Sequence, residues 1–467
     1  MKKKVTKKRL LCTWVLLVMY LLGIGACAPS VDTDVPDAEQ TSASLPETTE
    51  SLTIYRGPYL ADITDVAVQI YKERFPNVKV DYVSFGDYDE DQSYLTFSNT
   101  LINDLSAGKG PDVVMWNWEF PDIYKVMQSG LFENLDPYFE GDAEISLDDY
   151  VGGVMDGGVY RGERLFVPLN YHIGMLLSSE KTLEDFGFQI PEQASLADWR
   201  DAFVSHAQQV KEQKATYTNI YGYSNEFILF RMSKVPALDY DEGRVLIDNE
   251  YFRQLMEINK IFYDQVSETY DPEWGVNRVY WTGDEVISVR DKKTLFSYGS
   301  SPNEWALMCS GILDSSTPVY FSMPNIDTEG AVAEIAQSAA IRKNSENKKN
   351  AFEFIKILLS LRAQTEGNPY GQYFPVQKSA LETVIMRNVR EARNYGAPDG
   401  SVLFREIPQD MVDQFIRFSI DARYTPNDVQ SLVGFVGDSM HAFLLGDKTY
   451  ESCLAELENK LELYIYE

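Results

Sequence analysis

The sequence predicts an α/β protein, and three observations support that class. Runs of strand character alternate with stretches of helical periodicity from residue 52 onward. Of the 467 residues, 44% are hydrophobic and 13% aromatic, which is a globular composition. The chain is also long enough for two or three domains with a sizeable core. The opening order β-α-β-α-β is typical of a parallel sheet covered by helices.

The first elements follow from residue periodicity. Strands are predicted over 52–55, 78–83 and 113–116, and helices over 60–75 and 94–105. The first helix ends before Pro76, because proline disfavours helical backbone in the residue that precedes it.

The later elements are predicted in the same way. Strands are expected over 165–168 and 174–177, and helices over 196–214 and 348–360. Thr425 has the pattern of an N-cap, with Pro426 at the first helical position, and an apolar stripe follows it. A last helix extends to about residue 464.

Residues 1–26 have the pattern of a secretory signal. Six basic residues lie within positions 2–9, and the apolar run over 10–22 is too short for a comfortable membrane span. Ile24-Gly25-Ala26-Cys27 then resembles the bacterial lipobox, in which cleavage precedes the cysteine and its thiol takes a diacylglycerol. Lipidation at Cys27 would hold the protein stably on a membrane. An ordinary signal peptide or an uncleaved anchor is the alternative.

Residues 27–51 are predicted to be a flexible linker, because they are rich in Ser, Thr, Pro, Asp and Glu and nearly free of large apolar side chains. The chain has a formal net charge of −29. Binding of phosphates needs a basic face, so this charge argues against nucleic acid as a partner.

Metal and cofactor chemistry find little support in the sequence. The three histidines, His172, His206 and His441, are far apart, and none of the common hydrolase, nucleotide-binding or zinc-protease motifs is present. We therefore predict no metal and no cofactor, and a hydrogen-bonded structural role for His172. The sequence does not decide whether Cys309 and Cys453 form a disulfide, and two buried free thiols are the favoured interpretation.

Six segments, in this order, resemble the extracellular solute-binding proteins of bacterial ABC importers, in the sugar-binding, maltose-binding-protein-like group (family 1). Among them are Gly110-Pro111-Asp112-Val113 and the hairpin-like run Gly162-Glu163-Arg164-Leu165-Phe166-Val167-Pro168. The segments are 71–80, 105–114, 130–137, 161–168, 340–341 with 351–355, and 374–379.

The resemblance implies a periplasmic-binding-protein-like fold of type II, in which two α/β lobes enclose a ligand cleft and three segments cross between them. By alignment, the crossings fall at 169–174, 319–324 and 373–376. Lobe one is then 52–168 plus 325–372, and lobe two is 175–318 plus 377–467.

A carbohydrate offers hydroxyls and apolar C–H faces, which match amide, carboxylate and guanidinium groups and flat aromatic rings. Open α/β sheets bind ligands at the carboxyl ends of their strands. Candidates therefore follow the first and third strands, or lie at crossings and in lobe two. Each has a structural alternative: core packing for the aromatics, a solvated charge for the carboxylate, a hinge role at the crossings. The candidate ligand-binding residues are Tyr55, Arg56, Trp116, Asn117, Trp118, Glu119, Asn170, Tyr171, Trp281, Trp305, Tyr370 and Tyr373.

The resemblance implies a function: a lipid-anchored substrate-binding subunit of an ABC importer that closes on an oligosaccharide and delivers it to a membrane permease. The expected protein is a monomer on the outer face of the cell membrane and not an enzyme. One alternative is a secreted carbohydrate-active enzyme, which would need two carboxylates placed across a glycosidic bond. Another is the same fold used as a sensor or as a binder of a non-sugar solute.

Overall fold

A computed structural model describes most of the chain beyond residue 50. The described residues are 51–58, 60–86, 93–117, 122–191, 193–213, 215–218, 224–264, 270–271, 276–277, 282–327, 330–395, 403–427 and 429–466. The predicted signal, Cys27 and the linker up to residue 50 lie outside these ranges. So do the candidate residues Trp118, Glu119 and Trp281.

Strands and helices alternate along the chain. The strands are β1 Ser51–Arg56, β2 Lys79–Ser84, β3 Val113–Asn117, β4 Val159–Tyr160, β5 Glu163–Arg164, β6 Val167–Ile173, β7 Met175–Ser179, β8 Thr216–Thr218, β9 Leu238–Asp239, β10 Arg244–Val245, β11 Tyr270–Asp271, β12 Val276–Asn277, β13 Thr294–Gly299, β14 Pro318–Ser322, β15 Val332–Ile341, β16 Phe374–Pro375 and β17 Arg423–Tyr424. The α-helices are α1 Ala61–Arg74, α2 Ser93–Ser106, α3 Ile123–Gln128, α4 Asp136–Gly141, α5 Gly152–Met155, α6 Glu180–Phe186, α7 Leu196–Glu212, α8 Ser224–Arg231, α9 Glu250–Asp264, α10 Thr282–Arg290, α11 Pro302–Ile312, α12 Lys348–Leu358, α13 Leu361–Glu366, α14 Lys378–Ala392, α15 Gln409–Ile420, α16 Gln430–Leu444 and α17 Tyr450–Tyr466.

Seven strands form the larger sheet, called the large sheet below. Its order is β16-β6-β15-β3-β1-β2, and β17 pairs with one end of β15. β1 pairs in parallel with both β2 and β3, as the β-α-β-α-β pattern predicted. The carboxyl ends of these three strands therefore lie at one edge of the sheet.

Four strands form the second sheet, called the small sheet, in the order β14-β7-β13-β8. The chain passes from the large to the small sheet between β6 and β7, at Gly174. A Cβ at Gly174 would lie 2.7 Å from Cγ of Met323, so only glycine allows this close approach. The Met323 amide also donates to the Gly174 carbonyl oxygen at 3.1 Å. The chain returns between β14 and β15, so two passages run side by side.

Three groups of buried apolar side chains hold these sheets. The first packs α1, α12 and α14 against the large sheet and reaches α11. The second packs α7, α9, α16 and α17 around the small sheet. The third contains Trp116, Phe132 and Phe166, near the carboxyl end of β3. The mixed α/β class predicted from the sequence is thus confirmed.

The limits of the two lobes stay a prediction. β16 lies in the large sheet within the third predicted crossing. β17, within the range predicted for lobe two, pairs with β15 of the large sheet, while the next helices α16 and α17 pack with α8 and α9.

The prediction that Thr425 caps a helix with Pro426 at its first position is wrong. The helix α16 begins at Gln430 instead. The Thr425 amide donates to the Ala333 carbonyl oxygen at 2.9 Å, which continues the pairing of β17 with β15. The Thr425 hydroxyl accepts from the Asn427 amide at 3.2 Å and closes a turn. Long-range strand pairing overrides the local capping pattern here.

Cys309 and Cys453 are buried free thiols, which confirms the interpretation favoured from the sequence. Burial raises the pKa of both thiols above the ordinary value.

Among the described helices, none combines the length and the apolar character that crossing a bilayer requires.

Candidate functional site

A small pocket with a cavity volume of about 40 Å³ lies at the carboxyl end of β3. β3 is buried along its whole length, as expected of a central strand with both faces covered. Elements from distant parts of the sequence meet at this pocket. Its lining residues are Trp116, Asn117, Ile123, Tyr124, Gly157, Phe166, Ile335, Ser338, Tyr424 and Thr425.

Trp116 is held rigidly in the wall of this pocket. Its ring stacks on Phe132 with centroids 5.6 Å apart and meets the edge of Phe166 at 5.4 Å. Only 4% of its surface is exposed, so one part of the ring is core and another part lines the pocket. The two alternatives considered for this tryptophan, core packing and a site role, are therefore compatible.

Asn117 begins a row of amides across three neighbouring strands. Asn117 on β3 is paired in register with Gln337 on β15, which is paired with Asn170 on β6. The Asn170 side-chain amide donates to Gln337 Oε1 at 2.6 Å. A break in regular pairing at Gln337 makes this arrangement possible. Two candidates from separate segments, Asn117 and Asn170, are thus placed near each other at the pocket edge of the sheet.

Tyr55 and Arg56 lie at the carboxyl end of β1, on the same sheet edge. The Tyr55 hydroxyl donates to the Asp104 carboxylate at 3.0 Å. Burial raises the pKa of Tyr55, and the Asp104 carboxylate raises it further. Arg56 is buried and donates to the Ser84 hydroxyl. Its guanidinium also lies 5.8 Å from the centre of the Tyr82 ring. Both residues are next to the pocket strand, but neither lines the pocket itself.

The first and third predicted crossings meet in the large sheet. Tyr171 on β6 is paired with Phe374 on β16, and their rings stack 5.4 Å apart. The Tyr171 hydroxyl donates to the Ser419 carbonyl oxygen at 2.7 Å, and full burial raises its pKa. Tyr373 packs against His172 with ring centroids 5.0 Å apart, whereas Tyr370 is 68% exposed. These residues lie outside the pocket lining.

The structural role predicted for His172 agrees with its contacts. Its Nδ1 lies 3.2 Å from the Ser300 carbonyl oxygen. Removal from water, together with the nearby Arg231 charge, lowers its pKa from 6.5 to about 4, although the Ser300 contact opposes this. The imidazole is therefore neutral at physiological pH.

His172 should make stability depend on pH. The unfolded chain takes up a proton near pH 6.5 and the folded chain only near pH 4, so stability falls as pH falls through this window. Between about pH 7 and about pH 5 the loss should be roughly 2 kcal/mol. Urea unfolding of the His172→Asn variant should show a loss that is smaller by this amount. His441→Asn serves as the control, and an equal pH slope in wild type and His172→Asn would contradict the prediction.

Trp305 is placed in the core and not at the pocket. None of its surface is exposed, and its ring stacks on Phe415 with centroids 3.8 Å apart and an angle of 1°. It belongs to α11, which begins at Pro302 after the N-cap Ser301. We therefore do not expect Trp305 to contact the ligand.

Sequence reasoning missed several residues. Ile335, Ser338 and Tyr424 line the pocket from elements far from β3 in sequence, and Tyr124 lines it from α3, the next helix after β3; no local pattern marks these residues. The ion pair between Arg231 and Glu334 was also missed. Glu334, the single charged residue in the buried strand β15, was the signal that could have indicated it.

The described residues contain no cluster of three His, Cys, Asp or Glu side chains that could hold a metal ion. Aromatic rings, the Asn117 amide and the hydroxyls of Ser338 and Thr425 are gathered in this pocket at one sheet edge, a combination that can bind a polar ligand with apolar faces.

Two sheets joined by side-by-side chain passages, with a pocket at the carboxyl edge of the larger one, define a two-lobe fold of the α/β class. The model of the family described as bacterial extracellular solute-binding protein matches residues 56–365, and the chain belongs to that family. The family predicted from the sequence is confirmed. Among curated proteins, none matches this chain.

Solved structures share the fold at low sequence identity. The sugar-binding protein MalE from Xanthomonas citri is 14% identical with a TM-score of 0.63, over 89% of this chain and 97% of that one. The GacH receptor of Streptomyces glaucescens, solved unliganded and with acarbose, is 16% identical with a TM-score of 0.54, over 90% and 100%. The substrate-binding protein Lmo0181 from Listeria monocytogenes, in complex with cycloalternan, is 13% identical with a TM-score of 0.54, over 89% and 99%.

Proposed function

We propose that this protein is the extracytoplasmic substrate-binding subunit of an ABC importer and that it captures a carbohydrate, with an oligosaccharide as the expected ligand. The observation that carries the proposal is the pocket at the carboxyl end of β3, where an aromatic ring, an amide and a hydroxyl meet in a fold of the solute-binding family. The similar structures named above include proteins solved with acarbose and with cycloalternan.

The pocket chemistry suits a sugar ring. Trp116 and Tyr124 offer flat faces for the apolar C–H surface. Asn117 and Ser338 offer donors and acceptors for hydroxyls, which themselves act in both senses. We propose these four residues as the centre of the site. Asn170, Tyr55 and Arg56 lie on the same sheet close by, and Trp118, Glu119 and Trp281 stay candidates outside the described residues.

The residues at the crossings have a supporting role in this proposal. Tyr171 is fully buried with its hydroxyl bonded to Ser419, so it fixes β6. Tyr373 packs on His172 beside the passage at Gly174. Tyr370 has an exposed ring and stays a candidate.

Capture proceeds by closure of the two lobes, because only the closed form lets both contact the ligand. The closed monomer then delivers the ligand to permease subunits in the membrane. Cys27, modified by lipid, keeps the protein at the outer face of the cell membrane and raises its local concentration near the permease. Incorporation of labelled fatty acid into the wild-type chain but not into Cys27→Ala tests this anchor.

A thermal-shift screen of the chain against mono- and oligosaccharides tests the ligand, with amino acids, short peptides and anions as controls. A ligand that binds only the folded state stabilises it by about 2.7 kcal/mol at a hundred times its dissociation constant. We expect one glycan class to raise the melting temperature and to be recovered intact. Cleaved glycan would establish an enzyme instead, and a response to a control solute alone would overturn the carbohydrate.

The Asn117→Ala variant tests the site with the glycan found in that screen. Loss of one well-placed amide should weaken binding about tenfold, because a buried ligand hydroxyl loses its partner. Isothermal titration calorimetry measures the change. Asn459→Ala is the matched control, since Asn459 is an exposed asparagine of α17. Equal affinity of Asn117→Ala and the control would place the site elsewhere.

A further inference from the structure

The helix α3 touches two distant parts of the chain. It follows β3 of the large sheet, and its Met127 packs in the group around Trp116 and Phe132. Its residues Ile123 and Tyr124 line the pocket. The helix also meets the turn after β9 and the last helix α17, which pack in the core around the small sheet.

The first contact of α3 with these elements is aromatic. The rings of Tyr124 and Tyr240 stack with centroids 4.4 Å apart and an angle of 15°. Gln128 strengthens this contact, because its side-chain amide donates to the Tyr240 carbonyl oxygen at 2.9 Å. Stacked aromatic pairs gain energy beyond the area that they bury.

The second contact joins α3 to α17. The Tyr464 hydroxyl donates to the Asp122 carboxylate, which also caps α3 by accepting from the Lys125 amide at 3.1 Å. The Lys125 ammonium donates to the Tyr464 carbonyl oxygen at 2.6 Å and lies 4.2 Å from the centre of its ring. Burial raises the pKa of Asp122, and the hydrogen bonds from Tyr464 and Lys125 oppose that rise. A charge-assisted hydrogen bond to a buried carboxylate is among the stronger polar contacts.

The third contact is an ion pair at the surface. Arg161, in the turn between β4 and β5, donates to the Asp241 carboxylate at 2.9 Å, and both side chains are more than half exposed. We call the three contacts together the rim contact. It joins residues that are 80 to 342 positions apart in sequence, whereas the passages between the sheets run through Gly174 and the segment before β15.

We propose that the rim contact is a built-in clasp that favours the closed over the open arrangement of the two lobes even without ligand and so sets the affinity for the ligand. The effect on ligand affinity rests on the proposed function, whereas the contact between the lobes does not. In a solute-binding protein without such a contact, part of the free energy of ligand binding is used to close the lobes. A clasp within the protein supplies part of the free energy of closure instead. Because Tyr124 of α3 lines the pocket and Asp122, the N-cap of α3, belongs to the clasp, the two are mechanically linked.

The experiment measures the distance between two spin labels across the rim, without any glycan. Ser129→Cys, after α3, and Glu242→Cys, after Tyr240, place the labels at exposed positions. The full chain carries Cys12→Ala and Cys27→Ala, while Cys309 and Cys453 are buried. We expect a short distance in this background. Adding Arg161→Ala, Tyr240→Ala and Tyr464→Phe should shift most of the population to longer distances.

A milder variant guards against a folding defect. Arg161→Ala with Tyr464→Phe removes one exposed guanidinium and one hydroxyl, while the Tyr464 ring and its contact with Phe435 are kept. Tyr466→Phe is the matched control, because Tyr466 lies on the same helix and is exposed. The control should keep the short distance and the mild variant should lose part of it.

The glycan affinity then links the clasp to the site. The apparent dissociation constant should rise by the factor by which the closed fraction falls, roughly tenfold for the triple variant. A long distance in the glycan-free background, or a short distance that survives in the triple variant, would overturn the clasp. Either result leaves the glycan screen unaffected, because the distances are measured without ligand.

Discussion

Replacement of Trp305 by alanine is expected to lower the free energy of unfolding by about 4 kcal/mol, in the range found for removal of large buried aromatic side chains. Trp305 has no exposed surface, so the variant leaves a cavity that its neighbours can fill only in part. Its ring lies flat on Phe415 at 3.8 Å and meets the Tyr320 ring edge at 6.2 Å, so both partners lose packing. Urea unfolding of wild type and variant measures the difference.

Two companion variants make this result specific. Trp305→Phe keeps an aromatic ring on Phe415 and should cost less than half as much as the alanine variant. Tyr251→Ala removes a half-exposed aromatic ring from α9 and should cost less than about 1 kcal/mol. A Trp305→Ala loss as small as that of Tyr251→Ala would mean that the ring is not a core residue. In that case its candidacy as a ligand residue would have to be reopened.

Trp116 and Trp305 illustrate what the sequence can and cannot establish. Both were candidates for stacking on a sugar, and the local sequence does not distinguish them. Trp116 lines a pocket because Tyr124, Ser338 and Tyr424 come together around it. Trp305 is core because Phe415, 110 positions later, covers its face. Burial of one face of a ring is decided by long-range packing, which periodicity does not encode.

The elements themselves were predictable where local and global preferences agree. β1, β2 and β3 and the helices between them lie within a few residues of their predicted limits, since their apolar spacing fits a buried sheet. The order β-α-β-α-β also gave the parallel pairing of β1 with its neighbours correctly. Thr425 failed because its local capping pattern conflicts with pairing of β17 to β15. The rim contact between α3 and α17 could not be predicted from the sequence, because its partners are remote along the chain.

Removal of the ion pair between Arg231 and Glu334 is the second change expected to lower the free energy of unfolding strongly. Arg231 ends α8, which packs with α9 and α16, and Glu334 lies on β15 of the large sheet, paired in register with His172. Both side chains are largely buried, with 15% and 10% exposed. Taking one partner away leaves a charge in a poorly solvated place without the carboxylate that balanced it, which is costly. Glu334→Ala should therefore lower the free energy of unfolding by about 3 kcal/mol.

A double variant without either charge separates this pair from its surroundings. In Glu334→Leu with Arg231→Met both charges are gone, so most of the lost stability should return, because a buried pair can be replaced by apolar groups at little cost. Asp81→Ala is the matched control, since Asp81 and Lys79 form an exposed strand pair whose loss should cost less than about 1 kcal/mol. A Glu334→Ala loss equal to that of the control would show that the pair is solvated. A single cost that the double variant does not relieve would show that Glu334 acts through β15 packing and not through Arg231.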